Sequence, residues 1–162
     1  MSATQYETLG FVLADLSRLF RKHFEAGLLK SGIGLTPGAA RALAYAYVYE
    51  GMRQRDLAER MGVEPMTLVG FLDQLEGKGL IERAADPNDR RCKLIRATAK
   101  AEATIADIRE VGASVRSVAT EGMDAEEVET LRLTLLHLRD KLLAKPANAA
   151  KRSKVPELEG SA

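Results

Sequence analysis

The chain has 162 residues, 46% of them hydrophobic and 29% charged, with a formal net charge of +1. These values suit one globular domain with a modest core and argue against overall disorder. They also argue against a uniformly basic nucleic-acid coat, so any affinity for phosphate has to come from locally placed charge.

From Tyr6 to about Lys30, the residues Leu9, Val12, Leu13, Leu16, Leu19, Phe20, Phe24 and Leu28 recur at helical spacing and predict one long amphipathic helix. Thr36 as N-cap and Pro37 at the first helical position predict a second helix, ending by Gly51. Tyr45 and Tyr49 share a face of it at i, i+4, with Tyr47 turned away. That face either packs between helices or lines a pocket for an aromatic ligand. His23 on the first helix and His137 on the last belong either to the surface or to a ligand site. Two distant histidines and one cysteine give no metal-ligand spacing.

The next stretch is the most informative. Leu57, Ala58 and Met61 mark a short helix that stops at Gly62. Val63 and Glu64 fill a turn, and Pro65 opens a second helix whose Leu68, Phe71, Leu72 and Leu75 form one apolar stripe. The opposite face carries Met66, Gly70, Asp73 and Gly77, flanked by Thr67, Val69 and Gln74. Two helices joined through a glycine-containing turn are the helix-turn-helix pattern. Leu80 to Arg83 then read as a strand, Asp86-Pro87-Asn88-Asp89 as a turn, and Cys92 to Ala97 as the returning strand. From Lys78 through Arg96 this hairpin holds six cationic residues against three acidic ones, which suits a phosphate partner.

Thr98 is expected to cap a helix running from about Ala99 to Thr120, and Asp124 one that runs to about Leu143. The acidic run from Glu121 to Glu129 suits the start of that last helix, where carboxylates complement the dipole. Val128, Leu131, Leu135, Leu138 and Leu142 form nearly a seven-residue repeat that requires a partner helix. The segment from Lys145 onward lacks periodicity and is read as a disordered tail. The apolar stripes of the long terminal helices outrun what one domain of this size can cover, which predicts a two-fold homodimer.

Within this layout the second helix of the pair would read DNA. Its first turn, with Pro65 and Thr67, offers amides and a hydroxyl to a phosphate. Base reading falls to Met66, Val69, Gly70, Asp73 and Gln74, with Gln74 suited to adenine and Val69 to a thymine methyl. Arg90 and Arg91 at the hairpin tip suit a narrow minor groove, with Asp89 placed to fix the Arg91 rotamer by a charge-assisted bond. Arg53 and Arg55, ahead of the first short helix, are either solvated or set against backbone phosphate.

The stretch "LAERMGVEPMTLVGFLDQLEGKGLIERAADPNDRRCKLIRAT" resembles the winged helix-turn-helix of the MarR family of bacterial transcriptional regulators, with Asp89-x-Arg91 matching that family's wing hallmark. The likeness spans residues 36 to 144, is tightest from Leu57 to Thr98, and in wording is nearest the SlyA-like branch. It implies a mainly α fold with a small β-hairpin wing, a single domain over residues 1–144 and the tail over 145–162. Within it, dimerisation helices would lie near 6–30 and 99–143 and the winged helix-turn-helix near 36–98. It further implies a homodimer on a pseudo-palindromic operator, usually a repressor, often released by a small aromatic carboxylate. Family members commonly carry a cation at the position of Gly70, so this chain is expected to make fewer groove contacts.

There is no apolar run of about 18 residues and no cationic-then-apolar start, so neither a membrane span nor a signal peptide is expected, and the cytoplasm is the expected compartment. The single cysteine, Cys92, excludes an intramolecular disulfide and suits a reducing environment; on a strand it reads as a small packed side chain. No glycine-rich phosphate loop, activated nucleophile or paired-carboxylate motif is present, so neither enzymatic activity nor a cofactor is expected. The alternative is a winged dimer serving as a protein-interaction module, its DNA binding weak or lost, for which Gly70 is the best support.

Overall fold

The structure, a computed structural model, describes residues 8–144. Helix α1 (Leu9–Ser31) is followed by α2 (Pro37–Val48), a two-residue strand β1 (Met52–Arg53), α3 (Gln54–Met61) and α4 (Pro65–Gly77). The hairpin β2 (Ile81–Asp86) and β3 (Asp89–Ala97) comes next, then α5 (Ala101–Ala119) and α6 (Ala125–Ala144). The fold is therefore mainly helical with a small β wing. By internal contacts the chain divides into one unit ending at Ala119 and another beginning at Thr120. Residues 6 and 7 of the expected first helix and the expected tail from 145 lie outside the described residues.

Local signals place most boundaries. The Thr36 hydroxyl accepts the Ala39 amide at 3.2 Å, and Pro37 opens α2. Gly62, at φ 63°, takes the left-handed conformation that ends α3, and Pro65 starts α4 after a short turn. Asp124 and Glu127 form a reciprocal capping box: the Glu127 amide donates to Asp124 Oδ1 at 2.9 Å, and the Asp124 amide to Glu127 Oε2 at 2.8 Å.

Thr98 behaves differently from expectation. Its hydroxyl donates to the Gly79 carbonyl at 2.7 Å, closing the base of the hairpin, while its own carbonyl accepts the Ala101 amide at 2.9 Å. With the side chain committed across the hairpin, α5 starts at Ala101, two residues later than predicted.

The sheet is antiparallel in the order β1-β3-β2. Ile81 pairs with Ala97 and Ala84 with Leu94, and a register irregularity falls between Ala85 and Asp86, beside the turn. Strand β1 adds Met52 opposite Ile95 and Arg53 opposite Leu94. The strands of the hairpin run farther toward the tip than the sequence pattern indicated, and β1, at two residues, is too short to carry an alternation.

The core of the first unit lies where α2, α3 and α4 meet the sheet. Leu43, Leu57, Leu68, Leu72, Leu75 and Ile95 are fully buried there. Each such side chain stabilises the fold by about 1.5–3 kcal/mol relative to exposure. Phe71 packs against this core half-buried, completing the predicted α4 stripe. The buried faces of α3 and α4 thereby fix which residues of α4 point outward. By contrast, α1 exposes Leu9, Phe11, Leu16 and Leu29, and α6 buries none of its residues. Among the described residues no helix is long and apolar enough to cross a membrane.

Candidate nucleic-acid interface

The outward face of α4 presents Met66, Thr67, Gly70, Asp73, Glu76 and Gly77, with Met66 78% exposed. The Glu64 side chain makes no capping bond at its start, and Pro65 and Thr67 lie in the exposed first turn. A Cβ on Gly70 would meet nothing within 4 Å, so the ridge is open at its middle. Val69 is half-buried, leaving only part of its side chain for contact.

Two residues expected to read bases are engaged elsewhere. Gln74 Oε1 accepts the Thr36 hydroxyl at 3.0 Å, which turns this side chain toward the cap of α2 and away from the role of adenine reader. Asp73 binds Arg83 of β2 through Oδ1 at 2.6 Å. The same guanidinium reaches Glu76 and the Val69 carbonyl. Sequence reasoning missed Arg83. Its signal was available: α4 holds two acids and no base, and the strand that follows carries an arginine at its third position.

Arg53 is likewise not a free phosphate ligand. Its Nε and Nη2 lie 2.8 and 2.6 Å from Asp86 Oδ2, tying the entry to α3 to the wing. Asp86 is 4% exposed. The Asn88 amide, donating to its Oδ1 at 2.8 Å, does most to hold its carboxyl below the usual range, and Arg53 adds to this against the opposing effect of burial. The Arg53 guanidinium is pushed up in turn by its bond to Asp86. Arg55 is exposed.

At the tip, Asp89 Oδ1 accepts the backbone amide of Arg91 at 3.1 Å and Oδ2 accepts the Cys92 thiol at 3.4 Å. Asp89 thus shapes the strand under Arg91, in place of the predicted bond to its side chain, and Arg91 is exposed. The side chain of Arg90 lies outside what the structure describes. The Asp89 carboxylate, aided by burial, pushes the Cys92 thiol up, which keeps it protonated and unreactive at neutral pH. Between α3 and the wing runs a cleft of about 680 Å3, lined by Arg55, Asp56, Glu59, Arg91 and Lys93 among others.

The residues expected around a ligand do not come together. The Tyr45 and Tyr49 rings pack 5.9 Å apart, and Arg60 of α3 lies 4.1 Å over Tyr49, so this face joins α2 to α3. On the other side Arg109 lies 4.8 Å over Tyr47. His23 instead lines a cleft of about 600 Å3 between α1 and α5, with Lys30, Asp107, Glu110 and Ser114. His137 is exposed on α6. Among the described residues no group of three or more His, Cys, Asp or Glu is placed to hold a metal ion.

A helix pair braced by an arginine-bearing hairpin defines a winged helix-turn-helix protein. Residues 35–93 match the MarR family model. The chain is 34% identical to a transcriptional regulator designated PA3341, covering 85% of this chain and 100% of that one with a TM-score of 0.68. It is 26% identical to a MarR-family transcriptional regulator from Rhodococcus sp. RHA1, covering 91% of this chain and 98% of that one with a TM-score of 0.70. It is 28% identical to CouR from Rhodococcus jostii RHA1, a structure bound to p-coumaroyl-CoA, covering 90% of this chain and 98% of that one with a TM-score of 0.66. The chain belongs to the MarR family, whose members are transcriptional regulators.

Proposed function

We propose that this protein is a repressor that binds a pseudo-palindromic operator as a homodimer. The observation that carries this reading is the open outward ridge of α4, Met66, Thr67 and Gly70, beside a wing that exposes Arg91. An unpacked ridge leaves this face of the helix free to enter a major groove, and an exposed guanidinium beyond it suits the adjoining minor groove. Arg55 and Lys93 line the cleft between α3 and the wing and supply cations for the intervening phosphates. The unburied apolar residues of α1 and of α6 support a second copy as their cover. Two-fold symmetry then sets the two recognition helices about 34 Å apart, one turn of B-form DNA.

Release by a small aromatic carboxylate is the regulatory part of this reading. The CouR relative is a structure bound to p-coumaroyl-CoA. In this chain the cleft between α1 and α5 offers the Lys30 ammonium for a carboxylate, beside Asp107 and Glu110, and Val111, Val115 and Val118 for a ring. Selection of bound fragments from random duplex DNA by the purified protein tests the whole reading. A two-fold related consensus, bound by a dimer with affinity falling steeply as salt rises, is the expected result. Failure to retain any duplex at low salt overturns it and favours a protein-interaction role for the winged face. Unchanged affinity for the selected duplex at saturating p-coumarate or salicylate overturns the regulatory part alone.

A further inference from the structure

We propose that Arg83 is a positioning residue that supplies the recognition helix with its missing cation, cancelling the charge of Asp73 and Glu76 so that this face can approach a duplex. The inference rests on the DNA-binding reading above and concerns how an acidic helix meets a polyanion.

The sequence of α4, PMTLVGFLDQLEG, holds two carboxylates and neither lysine nor arginine. Both acids lie on the exposed side, their side chains 60% and 43% accessible, close to Gly70 and Gly77, which add no side chain to mask them. Left alone, such a helix would repel the phosphates on either side of a groove. Arg83, from the neighbouring strand β2, reaches Asp73 Oδ1 at 2.6 Å through Nη2 and Glu76 Oε2 through Nη1. Its side chain is only 18% accessible. The cation therefore sits behind the two acids, where it offsets their field and leaves the surface contact to others.

Stability is a poor account of this arrangement. Ion pairs whose acids are this exposed contribute little to folding. Arg83 Nε is buried without a hydrogen-bond partner, an unmet donor that an apolar side chain of similar length would avoid. The fold tolerates that cost at a position where the charge lies directly beneath the face that would enter the groove.

The test compares the unaltered protein with Arg83→Met and with Arg83→Met combined with Asp73→Asn and Glu76→Gln, on one selected duplex, across a salt titration. Arg83→Met should bind roughly ten-fold more weakly near 0.1 M salt, with the loss shrinking as salt screens the exposed acids. Removing the acids as well should return the affinity to near that of the parent. Affinity unchanged in Arg83→Met, or a triple variant as weak as the single one, overturns the proposal. The second outcome, with a salt slope shallower by about 0.9 per subunit, would mark Arg83 as a direct phosphate ligand. Should Arg83→Met not fold, Asp73→Asn with Glu76→Gln in the parent decides: binding at least as tight as the parent is expected, and weaker binding overturns the role. Absence of duplex binding by the unaltered protein would instead remove the DNA-binding reading itself.

Discussion

Substituting Gly70 by arginine tests whether the ridge of α4 faces a groove. A Cβ there meets nothing within 4 Å, and Gly70 is absent from the glycines that adopt positive φ, so the backbone accepts any side chain. Arginine also has a higher helix propensity, which should stabilise each chain by about 0.8 kcal/mol and raise Tm by roughly 2–3 °C. If the new guanidinium reaches one phosphate per half-site, the salt slope of the dimer should steepen by about 1.8, and binding near 0.1 M salt should tighten roughly sixty-fold. Fluorescence anisotropy with a labelled duplex at several salt concentrations reads both quantities. Gly70→Ala is the control, since it carries the propensity gain without the charge and should raise Tm while leaving Kd nearly unchanged. A drop in Tm for both variants would mean that the ridge is packed against something. An unaltered slope for Gly70→Arg, with Tm raised as expected, would refute the placement of this face against DNA.

Three further outcomes follow from other parts of the site. Arg91→Ala should lower affinity for matched and unmatched duplexes alike, with a slope shallower by about 0.9 per subunit if it meets phosphate, as a salt titration will show. The Asp86 carboxyl ionises below its ordinary value of 3.8, so its ionised form contributes stability fully above that value and loses it as pH falls through the lower folded-state value. Asp86→Asn should therefore melt below the parent at neutral pH, with the gap closing in acid; a gap that stays constant as pH falls well below 3.8 would contradict the stabilisation of the Asp86 carboxylate by the Asn88 amide and Arg53. Gly38→Ala should drive its new methyl into the Phe71 ring, where the Cε2 carbon would lie at 2.7 Å, and destabilise the α2–α4 contact by about 1–3 kcal/mol in denaturant melts.

Much of this fold was legible because its signals are local. The Thr36-Pro37 start of α2, the Gly62 stop and the Pro65 restart each act within a few residues, and each boundary falls where those residues demand. The α4 stripe is read from spacing alone, since Leu68, Leu72 and Leu75 return to one side at about 100° per residue. The outward face follows by subtraction, which is why Met66, Thr67 and Gly70 were assigned correctly as exposed. Thr98 shows the limit: a cap residue in good register was claimed by a carbonyl nineteen positions away.

The predicted site residues that the structure pairs within the chain share a physical cause. Each is a polar side chain whose partner comes from a different element: Gln74 from Thr36, Asp73 from Arg83, Arg53 from Asp86. A period along one helix reports which way a side chain points but not what meets it there. Long-range polar pairing depends on how elements cross, and that is set by the core, not by the polar residues themselves. Charge offers a partial remedy. An outward helix face with two acids and no base is an electrostatic deficit that some neighbour must offset if the face is to meet phosphate, and the nearest cations are those of the following hairpin. Among that hairpin's described side chains, Arg83, Arg91, Lys93 and Arg96, Arg83 reaches back to α4 with its head group largely covered, while the other three are exposed. On the proposed reading the division is one of depth: the covered arginine neutralises and the exposed ones are left for the duplex. The local excess of positive charge in the hairpin would then overstate the number of phosphates the wing can hold, because Arg83 is already paired with the acids of α4.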